Sequence, residues 1–134
     1  MSKQVAGKKT TKVRKKSIQQ VPFAVVYVKA TFNNTIVSIT DPQGRVLTWS
    51  SAGKVNFSGS RKSSAFAATL AAQDAAKAAQ AYGVKEAKIY LKGPGAGRES
   101  AVRGIQSAGI NISEIRDITP VAHNGCRPRK KRRV

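Results

Sequence analysis

The hydrophobic and polar positions fall into seven segments between two polar ends. Residues 23–31 (FAVVYVKAT) are β-branched and aromatic, which predicts a strand. Asn33-Asn34 follows, and asparagine tolerates the positive φ of a tight hairpin turn. Residues 35–40 (TIVSIT) form the return strand. Asp41-Pro42-Gln43-Gly44 places Asp first, Pro second and Gly last, the preference of a type I turn. Residues 45–51 (RVLTWSS) complete an antiparallel meander. The period then changes. Residues 52–64 are Gly/Ser-rich and read as a loop. Residues 65–82 are Ala-rich and read as a helix ended by Gly83. Residues 86–92 are a strand, 93–97 (GPGAG) a tight loop, and 98–108 a second helix with Ala101, Val102, Ile105 and Ala108 on one face. Residues 112–118 are the last strand.

The predicted order is β-β-β-α-β-α-β. A meander followed by two crossover units gives an α/β (α+β) fold: one five-stranded mixed sheet packed with two helices, in ribonuclease-H-like topology. That likeness concerns topology and carries no activity. The chain divides into a basic extension (1–21), an α/β core (22–119) and a basic tail (120–134). Both ends are expected to be disordered in the free protein.

Charge sharpens this division. The 134 residues hold 25 Lys and Arg against 6 Asp and Glu, a net charge of +19. Residues 1–22 contribute Lys3, Lys8, Lys9, Lys12, Arg14, Lys15 and Lys16 without an acid. Residues 123–134 contribute Arg127, Arg129, Lys130, Lys131, Arg132 and Arg133, again without an acid. Most of the net charge thus sits on ends that cannot bury a core. Such a chain repels itself unless a polyanion neutralises it, and nucleic acid is the usual one. No amphipathic basic helix or lipidation signal points to a membrane. No apolar run approaches the roughly 20 residues that span a bilayer. A cytosolic location is the simplest reading.

The chemistry-bearing residues argue for binding. One Cys and one His exclude an internal disulfide and a self-contained zinc site, and no cofactor motif is present. A metal-dependent nuclease needs converging acids, yet the first strand has none; turn chemistry explains Asp41, and Asp74 reads as solvated. His123, Asn124 and Cys126 carry the side chains of a cysteine-protease triad, but within four residues of tail they lack the scaffold a triad requires. Gly93–Gly97 matches neither a dinucleotide fingerprint nor a Walker loop. It is either a bare turn or a phosphate loop gripped through Arg98. Gly59-Ser60-Arg61-Lys62-Ser63-Ser64 is the best anion site in the core, with Ser63 or Ser64 as helix N-cap in either case. Among aromatics, Phe32 at the hairpin tip is the better exposed candidate for base stacking, Phe57 is another, and Trp49 reads as packed in the sheet. Asn124-Gly125 is the least hindered context for cyclisation to isoaspartate.

Five stretches together carry a resemblance: TFNNTIVSITD (31–41), WSSAGK (49–54), GSRKSSAFAA (59–68), KGPGAGRESAVR (92–103) and RDITPVAHNGCRPRKKRRV (116–134). They resemble small-subunit ribosomal protein eleven of the bacterial type, from about Val21 to the C-terminus. The resemblance implies a structural, non-enzymatic protein on the platform of the small subunit. It would bridge several rRNA helices and line the cleft where mRNA pairs with the rRNA 3′ end. Its neighbours would be other small-subunit proteins, including the seventh and eighteenth, with no membrane or homo-oligomer involved. The ribosome would be cytoplasmic, an organellar one being the other source of such a chain. Expected rRNA contacts are Lys12, Arg14, Lys15, Lys16, Lys29, Asn33, Asn34, Lys54, Gly59, Ser60, Arg61, Lys62, Ser63, Ser64, Gly95, Gly97, Arg98 and Arg103. In the tail they are His123, Asn124, Gly125, Arg127, Arg129, Lys130, Lys131, Arg132 and Arg133. Many relatives have Pro at the position of Ala65, a basic residue at Ser58, and a second Pro at Arg129. Two readings compete with this one: a free nucleoid or histone-like DNA binder, and a metal-dependent nuclease.

Overall fold

A computed structural model describes residues 20–57 and 59–133. The N-terminal extension before Gln20 lies outside the described residues, and with it Lys12, Arg14, Lys15 and Lys16. Strands β1 (Phe23–Ala30), β2 (Thr35–Thr40) and β3 (Val46–Ser51) form the meander. Helix α1 (Ala65–Ala79), β4 (Glu86–Lys92), α2 (Gly97–Ser107) and β5 (Asn111–Asp117) follow. The sheet order is β3-β2-β1-β4-β5. Strand β1 is antiparallel to β2 and parallel to β4, and β4 is parallel to β5. This is the mixed five-stranded sheet that the element order predicts.

Alternation decides which face is covered. Ala24, Val26 and Val28 of β1, Val37 and Ile39 of β2, and Ala87, Ile89 and Leu91 of β4 are buried on one face. They pack with a stripe of α1 alanines and with Ala101 and Ile105 of α2. Ala67, Ala68, Ala71, Ala72, Ala75, Ala76 and Ala79 recur at helical spacing and are wholly buried. Their small side chains let α1 lie close to both the sheet and α2.

The two helices touch along their length. A Cβ at Gly104 would stand 2.6 Å from the Thr69 carbonyl oxygen and 2.8 Å from Ala72 Cβ. A Cβ at Gly97 would stand 2.7 Å from Ala68 Cβ. Glycine at these two positions is therefore a packing requirement.

Several details depart from the sequence reading, each for a local reason. The Asn33-Asn34 connection is not a positive-φ hairpin turn. Thr31 leaves β1 and organises the connection instead: its Oγ1 accepts from the Asn33 and Asn34 N–H groups and donates to the Asn34 carbonyl. Arg45 is not part of β3, because its N–H is turned to Asp41 Oδ1 at 2.8 Å. Helix α1 stops at Ala79 and tightens into a 3-10 turn over Gln80–Tyr82 before Gly83 at φ 75°. The segment expected as loop contains a 3-10 turn over Gly59–Ser63. Register shifts between Ile39/Thr40 and between Ala87/Lys88 were not signalled by the pattern. Trp49 lies on β3 but is not packed: it is 51% exposed on the face away from the helices.

Candidate nucleic-acid interface

Strands β1, β3, β4 and β5 all point the same way, so their C-terminal ends share one pole. Each helix follows a strand that ends there, β3 before α1 and β4 before α2, and so starts at the same pole. Thr69 Oγ1 of α1 donates to the Ser100 carbonyl of α2 near their N-termini, and Gln80 Nε2 donates to the Ala108 carbonyl near their C-termini. Helices α1 and α2 are therefore parallel, and both positive dipole ends face the same pole. The Thr31–Asn34 connection, the Gly59–Ser64 segment, the Gly93–Gly97 loop and the start of the C-terminal tail all lie there. Segments far apart in sequence thus form one surface.

Each part of the pole has its own local cause. At the hairpin, Asn34 Oδ1 accepts from the Thr35 N–H at 2.8 Å, which fixes its carboxamide. Asn33 remains exposed, and Phe32 is 74% exposed beside it. At the start of α1, Ser64 is the N-cap: its Oγ accepts from the Ala67 N–H at 3.2 Å and donates to the Arg61 carbonyl at 2.9 Å. No acid occupies the first turn of α1. Arg61 and Lys62 form no ion pair with the described residues. The positive end of α1 and two cations are thus uncompensated together, which favours an anion there. Ser63 belongs to the same 3-10 turn.

The glycine loop serves packing. The Gly95 N–H donates to the Ala30 carbonyl at 2.9 Å. A Cβ at Gly93 would fall 2.2 Å from the Ala30 oxygen, and one at Gly95 would fall 2.4 Å from the Thr31 oxygen. Gly95 and Gly97 are buried and present no surface of their own. The close approach of Gly93 and Gly95 to the end of β1 requires glycine at both positions.

Arg98, expected to grip a phosphate, is ion-paired with Asp117 at the end of β5. Asp117 also accepts from the Thr119 hydroxyl at 2.6 Å and the Thr119 N–H at 2.9 Å. These bonds, with Thr119 first and Arg98 after, hold its carboxyl below the usual carboxylate range. Thr119 Oγ1 in turn accepts from the Gly93 N–H, and the Ile118 N–H donates to the Leu91 carbonyl. The tail is thereby anchored at its root. From Pro120 to Arg133 it is exposed and without regular secondary structure, so His123, Gly125, Arg127, Arg129, Lys130, Lys131, Arg132 and Arg133 all face solvent. Asn124 is exposed with φ 71°, and Cys126 is a free exposed thiol.

Other expected contacts lie off the pole centre. Lys54 pairs with Asp74 at 3.3 Å and sits 5.1 Å from the Trp49 ring centroid. Asp74 is therefore not merely solvated. Arg103 is about one and a half turns along α2, on the flank shared with Ile115. Lys29 is next to last in β1, on the sheet face away from the helices. Phe57 is engaged edge-on with Phe66, ring centroids 6.0 Å apart. The sequence reading missed Phe66, 65% exposed on the first turn of α1, and the pair Tyr27 and Tyr90 on the open sheet face. The matching parity of the two tyrosines on β1 and β4 was the available signal. Asp41 lies at the opposite pole, where it accepts from the Arg45 and Gln43 N–H groups and pairs with Arg45 Nε at 3.1 Å. Among the described residues no three metal-ligating side chains come together, and no helix is long and apolar enough to cross a membrane.

An α/β core of this order, with a cationic pole and a basic arm rooted at it, defines a nucleic-acid-binding protein. The chain belongs to the ribosomal protein S11 family, whose family model matches residues 24–133. It is 71% identical to the small ribosomal subunit protein uS11 of Protochlamydia amoebophila, with both chains covered in full. It is 69% identical to that of Chlamydia pneumoniae and 68% identical to that of Chlamydia trachomatis serovar L2, over 91% of this chain and 92% of each relative. As a member of this family it is a structural, non-enzymatic ribosomal protein, and the nuclease alternative falls.

Proposed function

We propose that this protein is a structural constituent of the small ribosomal subunit, binding small-subunit rRNA on the platform and bridging several rRNA helices there. The observation that carries this reading is the gathering of Asn33, Arg61, Lys62 and the root of the arginine- and lysine-rich tail at one pole, where both helix N-termini also point. Phosphate contacts from several separate segments fix position and orientation, and shape selects the site more than base sequence does. The relatives are named small ribosomal subunit protein uS11, which supports the small-subunit part of this reading. In this reading the chain helps form the cleft where mRNA pairs with the rRNA 3′ end. It has the seventh and eighteenth small-subunit proteins as neighbours and works in the cytoplasmic ribosome. The tail enters between rRNA helices and orders on binding.

The direct test is co-sedimentation of the tagged chain with small subunits in moderate salt, followed by chemical footprinting of the rRNA. Protection in several rRNA helices that Arg61→Ala with Lys62→Ala displaces is the expected result. A chain that travels with DNA, or that protects a single helix, would contradict the proposal.

A further inference from the structure

Both helices pack on one face of the sheet, and among the described residues no element covers the other. Its side chains fall into rows set by strand register. One row runs Trp49–Ser38–Tyr27–Tyr90 across β3, β2, β1 and β4. Trp49 is 51% and Tyr27 39% exposed. The Tyr27 and Tyr90 rings lie 5.4 Å apart at 43°. Strands are spaced about 4.8 Å apart, so Trp49 and Tyr27 rise about 10 Å apart with only the Ser38 hydroxymethyl between them. Stacked bases are spaced about 3.4 Å apart, so a base sandwiched between two rings needs about 7 Å, and the gap admits one. The Lys54 ammonium holds the Trp49 ring from one side.

The adjacent row toward the cationic pole places Lys29 beside Lys92, register partners on parallel strands. Both are exposed, and neither forms an ion pair with the described residues. Like charges side by side on one sheet face repel, and a phosphate between them relieves that repulsion. Scattered exposed aromatics are ordinary. Three aromatics in one register row, next to an uncompensated lysine pair and continuous with the cationic pole, are not.

We propose that this open sheet face binds a single-stranded RNA segment. Lys29 and Lys92 hold a phosphate, Tyr27, Tyr90 and Trp49 stack bases, and the Ser38 gap takes one base between two rings. A duplex keeps its base faces stacked inside and offers none to the row. The inference rests on the rRNA-binding reading and extends it from the pole onto the sheet. An acidic protein segment is the competing occupant, but it has no use for the ring-to-ring gap.

Trp49 is the only tryptophan in the sequence, so its fluorescence reports on this face alone. Oligouridylate added to the full chain should quench Trp49, whereas an RNA duplex should bind through the tails and pole without quenching it. Tyr27→Leu with Tyr90→Leu keeps apolar bulk but removes the stacking faces. It should raise the half-quenching concentration about tenfold, the weight of a single base stack, while circular dichroism stays unchanged. Lys92→Glu should weaken quenching in the same direction. Oligomers carrying 4-thiouridine should photocrosslink to peptides containing Tyr27, Trp49 or Tyr90. Crosslinks confined to the tails and pole, or quenching indifferent to the tyrosine variant, would overturn the proposal. So would a carboxylate–lysine crosslink in assembled subunits that joins Lys29 or Lys92 to another protein. Loss of co-sedimentation by the unaltered chain would instead count against the ribosomal reading itself.

Discussion

Arg98, at the start of α2, is clamped to Asp117, at the end of β5. The pair joins the helix that begins at the pole to the strand from which the basic tail departs. Its weight in stability is small, because solvent screens an exposed ion pair. Its geometric effect is larger: with Thr119 on the same carboxylate, it fixes the direction in which the tail leaves the core. Arg98→Ala is therefore expected to free the tail root rather than strip a phosphate contact. Limited proteolysis should cut more readily around residues 119–122. The log–log salt slope of rRNA binding should fall by no more than one contact, roughly 0.7–0.9. A larger fall in slope with unchanged proteolysis would return Arg98 to the role of phosphate grip.

Gly104→Ala tests the helix–helix contact. In an open helix this change stabilises by about 0.5–1 kcal/mol. Here the added methyl meets the Thr69 carbonyl oxygen at 2.6 Å and Ala72 Cβ at 2.8 Å, and neither is the free end of a flexible side chain. Overpacking costs about 1–3 kcal/mol, so the clash wins and the net effect is destabilising. A lower urea midpoint with unchanged m-value is the expected measurement. A raised midpoint would mean that α1 and α2 separate easily.

Two carboxyls predict the acid limb of the stability profile. Asp41 is held below its ordinary value of 3.8, first by the Arg45 N–H, with burial opposing and the Arg45 side chain and Gln43 N–H assisting. Asp117 is lowered from the same value, first by the Thr119 hydroxyl. A depressed acid binds protons more readily unfolded than folded. Its contribution is therefore complete above the unfolded pKa and disappears as pH falls through the folded one. Asp41→Asn should lower the urea midpoint at neutral pH, and the gap to the unaltered chain should close below about pH 4. A gap that stays constant into acid would show that Asp41 acts through shape rather than charge.

The sequence made the element order legible because it rests on local signals. The β-branched and aromatic run of residues 23–31 assigned the first strand, and the alanine run with Gly83 assigned α1 and its end. The Asp41 turn was legible because its bonds span only four residues. What escaped depends on contacts between distant segments. The Arg98–Asp117 pair and the clasp of Gly93 and Gly95 on β1 needed the sheet order before they could be seen. Thr31, rather than an asparagine at positive φ, shapes the hairpin tip; the two asparagines mimic a common turn signal that the threonine hydroxyl overrides. Trp49 was misplaced because hydrophobic size suggests burial, while its parity with Ser38 and Tyr27 puts it on the open face.

The tail and the pole should separate affinity from placement. Residues 123–134 hold six cations and no acid, all described ones exposed. Removing one phosphate contact lowers the log–log salt slope by roughly 0.7–0.9, so deleting this segment should lower it by about 2–3 if half the cations meet phosphates and by about 4–5 if all do. Arg61→Ala with Lys62→Ala removes only two cations, so its slope change should not exceed about 2. These two residues stand at the uncompensated start of α1, whose orientation is fixed by the Ser64 cap and the packing against α2. Their loss should therefore move the rRNA footprint more than it weakens binding. Filter binding across a salt series gives the slopes, and footprinting gives the placement. If tail deletion left both affinity and slope unchanged, the basic arm would be a solvated appendage and the grip would belong to the core alone.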